Sequence, residues 1–208
     1  MHGSAAVSRI GLLATTALLL GGDEVDLQVE VGAGAQLDLF DVAGTVAYHG
    51  RGAAAAWRTS LRVADGATLR MSGQPLVVAD GADVTRTVEV DAAGTAAVLL
   101  RDTVVLGRTG ERGGQLRLRT DLRVDGRLVS AEDQDLSREF RTLPGMLGQH
   151  RVLDTITALG RRVARPEPHP QLTRFELFGG AGTCTRYLGD ELAPSPLHQQ
   201  WDDVTVSS

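Results

Sequence analysis

The side chains that could carry metal or acid–base chemistry are five histidines, one cysteine and 26 carboxylates. His2, His49, His150, His169 and His198 are scattered, and His-Glu-x-x-His, His-x-His and Cys-x-x-Cys are all absent. Spacing therefore brings together no set of three or four ligands of the kind a tight metal site needs. All 21 basic residues are Arg and none is Lys, which excludes a phosphate-loop lysine, Schiff-base chemistry and a lysine base. FGGAGTC, 178–184, lacks the Lys-Ser/Thr that makes a glycine-rich phosphate cradle specific, and reads as a turn. AEDQD, 131–135, offers three carboxylates and reads as a solvated acidic turn. Cys184 is alone, so no intramolecular disulfide forms, as in a reducing compartment; a cytoplasmic location is expected. With a net charge of -5 the chain lacks the concentrated basic surface that nucleic acid requires. A binding or assembly protein is favoured over an enzyme.

The elements that would position these groups read as β. Among 208 residues there are 25 glycines and 4% aromatics, and the 42% hydrophobic fraction rests on Ala, Val and Leu. One domain spanning 1–208 is expected from this length. A weak repeat, apolar-x-apolar-x-x-Gly-Ala-x-apolar, fits Val29 to Leu37, Leu61 to Leu69 and Leu76 to Val84, with a fourth copy from Val88 shifted at Gly94. Each copy predicts strand, tight turn, strand, with Gly supplying a positive φ. The copies begin at Val29, Leu61, Leu76 and Val88, so the first interval is more than twice each of the others. That irregularity argues against a regular solenoid and for a distorted β-helical or stacked arrangement, or for hairpins in a sandwich. Leu116, Leu118, Leu122 and Val124 alternate with polar residues before Asp125-Gly126, a two-residue hairpin signal. Leu136, Phe140 and Leu143 predict a short helix within 131–143, residues 151–160 lean to strand, and RPEPHP at 165–170 reads as a stiff loop. Ser195 and Pro196 predict a helix start that sets Leu197, Trp201 and Val204 on one face.

The apolar run Ile10 to Leu20 has the length of a signal-peptide core but only Arg9 ahead of it and no small-x-small cleavage pair. It is too short for a membrane span, which needs about 20 residues. Val25, Leu27, Val29 and Val31 then alternate with polar residues as in a half-buried strand. The competing reading, an exported β-helical carbohydrate-binding or lyase-like module, would need an aromatic-lined groove, and Trp57, Trp201, Tyr48 and Tyr187 are too few and scattered for one. A cupin-type metal enzyme would need clustered His and Glu ligands.

LLLGGDEVDLQVEVGAGAQLDL, 18–39, resembles the signature of the urease accessory protein UreD (UreH) family, a Gly-Gly-Asp followed by a strand and a Gly-Ala turn. QPLVVADGADV, 74–84, LLRDTVVLGRTGERG, 99–113, and DGRLVSAED, 125–133, are similar to later blocks of the family, in matching order across about 18–135. GTCTRYLGDELAPSPLHQQW, 182–201, resembles its Arg-x-Leu-Gly strand and Trp-bearing helix. Two departures stand out. Family members carry several tens of residues ahead of the Gly-Gly-Asp, which here begins at residue 21, and the family's Lys-x-Tyr-Arg is replaced by Val46, Ala47, Tyr48 and His49.

The resemblance implies an all-β, distorted β-helical or stacked-sheet core with one or two short helices near the C-terminal part. It implies a non-catalytic scaffold that joins UreF and the GTPase UreG on the urease structural subunits, with no nucleic acid or membrane partner, and helps deliver nickel. No tightly bound cofactor is implied, only transient Ni²⁺. A relay should hold the ion weakly through carboxylates, hydroxyls and water, because a His/Cys cage would retain it. Asp23, Glu24, Thr45, Asp102 and Glu132 match positions of such a path, although Asp23 could instead cap its turn and Asp102 pair with Arg108. Gly21, Gly22, Tyr48, Gly107, Arg108, Arg186 and Trp201 match the family's structural signature. The apolar run then becomes a buried strand leading into the Gly-Gly turn.

Overall fold

The computed structural model describes residues 7–203 except 162 and 194. Two sheets face each other. The first runs in the order β11 (Arg127–Asp135), β10 (Gln115–Val124), β8 (Asp83–Ala92), β5 (Ala55–Val63), β2 (Glu24–Val31), parallel apart from the β10–β11 hairpin. The second runs β1 (Val7–Leu12), β3 (Gln36–Asp41), β6 (Thr68–Ser72), β9 (Ala97–Leu106), β12 (Val152–Leu159), β14 (Gly182–Gly189), β13 (Leu172–Glu176). It is parallel as far as β9 and antiparallel beyond, and β4 (Thr45–Ala47) joins it through β7 (Leu76–Val78), which pairs with β9.

The chain therefore winds. It passes from β2 to β3, from β5 to β6 and from β8 to β9, laying each coil on the last, before an antiparallel end made by β10 to β14. Val31 lies beside Val63 and Val63 beside Ala92, so these three residues mark the same point on successive coils. Gly34, Gly66 and Gly94 share one corner, whereas Gly81 turns the chain from β7 into β8 at the opposite corner. The short intervals of the sequence repeat, from Leu61 to Leu76 and from Leu76 to Val88, are thus distances between corners. The stacked winding stands while the hairpin sandwich falls.

Each corner has its own chemistry. At the first, the Thr95 hydroxyl donates to the Asp65 carboxylate at 3.0 Å and accepts from the Gly66 N–H at 2.9 Å, and the Asp125 carboxylate accepts from the Gly94 N–H at 2.7 Å. Side chains of one coil thereby satisfy turn amides of the coil before it. At the second, coils touch backbone to backbone. A Cβ on Gly21 would lie 2.2 Å from the Gly50 carbonyl oxygen, and one on Gly114 2.2 Å from that of Ala82.

Alternation sends every second side chain inward. On the outer face of the first sheet the row Glu30, Arg62, Asp91, Arg123 changes sign from strand to strand, although Glu89 lies beside Asp121. Opposite charges across neighbouring strands favour this register. Inside, two apolar clusters fill the corners: Trp57, Val84, Val104, Leu116 and Leu153 belong to one, and Leu61, Val90, Val98, Leu122 and Leu159 to the other. A third, with Leu99, Ile156, Tyr187, Leu197 and Trp201, lies outside the second sheet beneath helix α1 (Leu197–Asp203).

The Asp125-Gly126 hairpin forms with positive φ at both turn residues (49° and 73°), and 152–159 is a strand, as expected. Ser195 Oγ accepts from the Leu197 N–H at 3.4 Å and starts α1; Leu197 and Trp201 are buried, while Val204 lies outside the described residues. Two expectations are corrected. No helix forms within 131–143: backbone pairing with β10 keeps 131–135 in β11, and Leu136 then drops into the core as the chain turns. The apolar run is not a buried strand, because among the described residues β1 pairs only with β3 at the sheet edge, leaving Ile10 48% and Leu13 61% exposed; of the run, only Leu18 and Leu19 join the core.

Candidate functional site

Between the two apolar clusters runs a polar mid-line. On four strands the inward side begins in one cluster and ends in the other with a polar residue between: Thr59 between Trp57 and Leu61, Arg86 between Val84 and Val90, Thr120 between Leu116 and Leu122, and Thr155 and Thr157 between Leu153 and Leu159. Asp102 holds the corresponding place on β9, and Arg186 that on β14. Two ion pairs bridge the sheets here. Arg86 of the first sheet meets Asp102 of the second at 2.6 Å, and Arg186 of the second meets Glu132 of the first at 2.7 Å. All four line one cavity of about 70 Å³, together with Thr155, Thr157 and Cys184. A space of that size and polarity has room for more than one water molecule.

The pairs differ in finish. Arg186 Nη2 donates to Glu132 while its Nε donates to Thr155 at 3.4 Å, and its guanidinium lies 5.4 Å from the Phe175 ring centroid. Arg86 Nη1 meets Asp102 Oδ1 closely without an aligned hydrogen bond, and Arg86 Nε, Trp57 Nε1 and Thr59 Oγ1 lack hydrogen-bond partners. Such buried orphan groups call for water or a polar visitor. Arg86 also lies over Trp57, its register partner, at 5.3 Å. Trp57 borders a second, larger cavity of about 410 Å³, with Asp41, Thr45 and Tyr48. Burial pushes the Asp41 carboxyl up, against the opposing pull of Arg86. Burial likewise pushes up the Cys184 thiol, which accepts a weak bond from Thr157, so a thiolate is disfavoured beside the smaller cavity.

Asp102 and Glu132 thus converge on one cavity and Thr45 borders the other. Asp23 and Glu24 line neither: Asp23 Oδ2 caps its own turn by accepting from the Leu20 N–H at 3.0 Å, and Glu24 is exposed at the start of β2. Asp102 pairs with Arg86, not Arg108, whose partner is Glu111 in an exposed turn. Gly21 and Gly22 shape the second corner, Gly107 has φ +81°, and Trp201 stacks under Arg70 at 4.2 Å. Sequence reasoning misses Arg86. Its signal is present, since in Val84-Thr85-Arg86-Thr87-Val88 it holds a position of the apolar parity. The acidic 131–135 stretch is a strand with Glu132 turned inward and Asp133 outward.

Comparison with known proteins decides the lineage. A family model described as UreD urease accessory protein matches residues 2–193. The chain belongs to the UreD urease accessory protein family. Urease accessory protein UreD 1 of Streptomyces griseus is 48% identical over 184 residues, 88% of this chain and 71% of that protein. UreD 2 of Saccharopolyspora erythraea is 33% identical over 98% of this chain and 75% of that protein, and UreD of Streptomyces coelicolor 40% identical over 65% and 53%. As a member of the UreD family, the chain is an accessory protein and not an enzyme.

Among the described residues no three His, Cys, Asp or Glu side chains converge. The cavity offers carboxylate and hydroxyl oxygens, and both carboxylates already face guanidinium groups. Among the described residues no helix is long and apolar enough to cross a membrane.

Proposed function

We propose that this member of the UreD family serves urease maturation as a cytoplasmic scaffold, assembling with UreF and UreG on apo-urease and conducting Ni²⁺ along its polar mid-line. The observation that carries the reading is the convergence of Asp102 and Glu132, from opposite sheets, on one internal cavity between apolar clusters. Nickel is cargo here. Carboxylate and hydroxyl oxygens of the chain replace part of its water shell, and contacts made without thiolate or clustered imidazole stay short-lived. Asp102 and Glu132 are the proposed contacts, with Thr45 beside the outer cavity; Asp23 holds the turn, and Glu24 lies on the surface.

Urease activity is measured in cells expressing the structural subunits, UreF and UreG at limiting nickel, with and without this chain. Activity is expected only with it. Asp102→Asn together with Glu132→Gln should leave the accessory complex assembled and lower activation about tenfold or more, as loss of charged contacts in a low-dielectric interior predicts. Full activation by that double variant, with the complex intact, would remove the mid-line from the path.

A further inference from the structure

The two cavity arginines have a role that the carboxylates alone do not reveal. Carboxylates facing each other across a dry interior would bind a divalent cation strongly, because each desolvated negative charge is worth far more there than in water. Here each guanidinium meets a carboxylate of the opposite sheet, Arg86 with Asp102 at 2.6 Å and Arg186 with Glu132 at 2.7 Å. The two pairs sum to zero charge. Arg86 is 7% exposed, and its Nε has no hydrogen-bond partner. The buried guanidinium of Arg141, by comparison, is held by three backbone carbonyls, donating from Nη1 to Gly114 and from Nη2 to Arg112 and Gly113. Arg86 instead lines the cavity with its Nε unpartnered and its charge on a carboxylate that it contacts without an aligned hydrogen bond.

From this arrangement we infer that Arg86 and Arg186 are release residues: internal cations that compete with a transiting divalent cation for Asp102 and Glu132 and so set its affinity low. The inference rests on the nickel-path reading above and deepens it. A cation reaching Glu132 must share it with Arg186, and the guanidinium, which cannot lose its proton, takes the carboxylate back when the ion moves on. Arginine suits the task where lysine would not, since a buried lysine shifts its pKa and can discharge when a metal arrives.

The test is Ni²⁺ binding by equilibrium dialysis against the purified full chain in complex with its accessory partners, for wild type, Arg86→Gln, Arg186→Gln and Arg186→Gln/Glu132→Gln. Wild type should bind weakly. Each single variant should bind about tenfold tighter or more, as removal of a neighbouring positive charge in an interior predicts. The double variant, without the carboxylate, should fall back to wild-type affinity or below. Urease activation by the single variants should drop at limiting nickel and recover at excess nickel. Because removing one partner of a buried pair can unfold a protein, the wild type is also followed by ¹⁵N NMR of its arginine Nε–H groups during Ni²⁺ addition. The paramagnetic ion should broaden the Arg86 and Arg186 signals ahead of the other arginines. Folded single variants that bind nickel no tighter than wild type, or uniform broadening of all arginines, overturn the release role. Failure of the nickel path shows separately, as full activation by Asp102→Asn/Glu132→Gln.

Discussion

Gly107 shows how much of this fold rests on single backbone positions. Its φ is +81°, and a Cβ there would lie 2.6 Å from the Gly113 nitrogen, while its own N–H donates to the Val78 carbonyl at 2.8 Å. A β-branched residue meets both the left-handed penalty and a backbone clash that no rotamer relieves. Gly107→Val is expected to cost about 1–3 kcal/mol from conformational strain alone, and more from the clash. Thermal melts and soluble yield check this: Gly107→Ala should fall between wild type and Val, and a Val variant that melts with wild type would show the turn able to rearrange. Gly22 has φ +92° but nothing within 4 Å of where a Cβ would stand, and should tolerate Ala better. The contrast separates strain from crowding.

Among the elements, the turn from β9 into β10 is tied by one carboxylate. Glu111 accepts from the Arg108 backbone and guanidinium and from the Asp80 N–H, and the Arg108 guanidinium holds its carboxyl down at about 2, from an ordinary 4.5. On the β10–β11 hairpin, the Arg117 guanidinium likewise holds Asp133 at about 2, from 3.8. A carboxyl lowered by folding stabilises above its unfolded pKa and loses that contribution as pH falls through the folded value. These pairs should therefore contribute fully above about pH 4.5 and fade toward pH 2, with Asp133 exposed, Glu111 half-buried and the effect weakened by salt. The melting temperature measured from pH 7 to 3 should fall below about pH 4.5, and Glu111→Gln should flatten part of that fall. An unchanged slope would leave Glu111 without a share in acid sensitivity. Such hairpins are also where the sequence is most legible. Asp125-Gly126 specifies its turn locally, and the alternation in β2 and β10 marks their buried faces. The helix expected at 131–143 rests on three apolar residues at helical spacing, and pairing to β10 overrides it for 131–135. The site is half legible. Carboxylates stand out as possible ligands, but Asp102 and Glu132 find their arginine partners on other strands of the opposite sheet, and only coil stacking brings them together.

For the whole molecule, the decisive property is that the second sheet carries charge on both faces. Inward lies Asp102; outward, beneath α1, Asp154 is fully buried and accepts from Arg101 at 3.1 and 2.8 Å, Thr103 at 2.9 Å and Ser195 at 2.6 Å. A one-residue slip of β12 would turn Asp154 into the apolar interior and Leu153 out, so the network penalises wrong registers as well as binding α1 to the sheet. Asp154→Ala strands the Arg101 guanidinium and is expected to destabilise by about 3–5 kcal/mol. Ser195→Ala removes one hydrogen bond to a charged group, a loss of about 1.5–3 kcal/mol. Because the hydroxyl also starts α1 through the Leu197 N–H, the two losses should overlap, with a double-mutant coupling of about 0.5–3 kcal/mol. Denaturant unfolding of the two single variants and the double variant measures it. Strictly additive losses would mean that α1 is held by Leu197, Trp201, Arg70 and the Gln200 bond to the Ala164 carbonyl, and that the buried charge serves register without anchoring the helix.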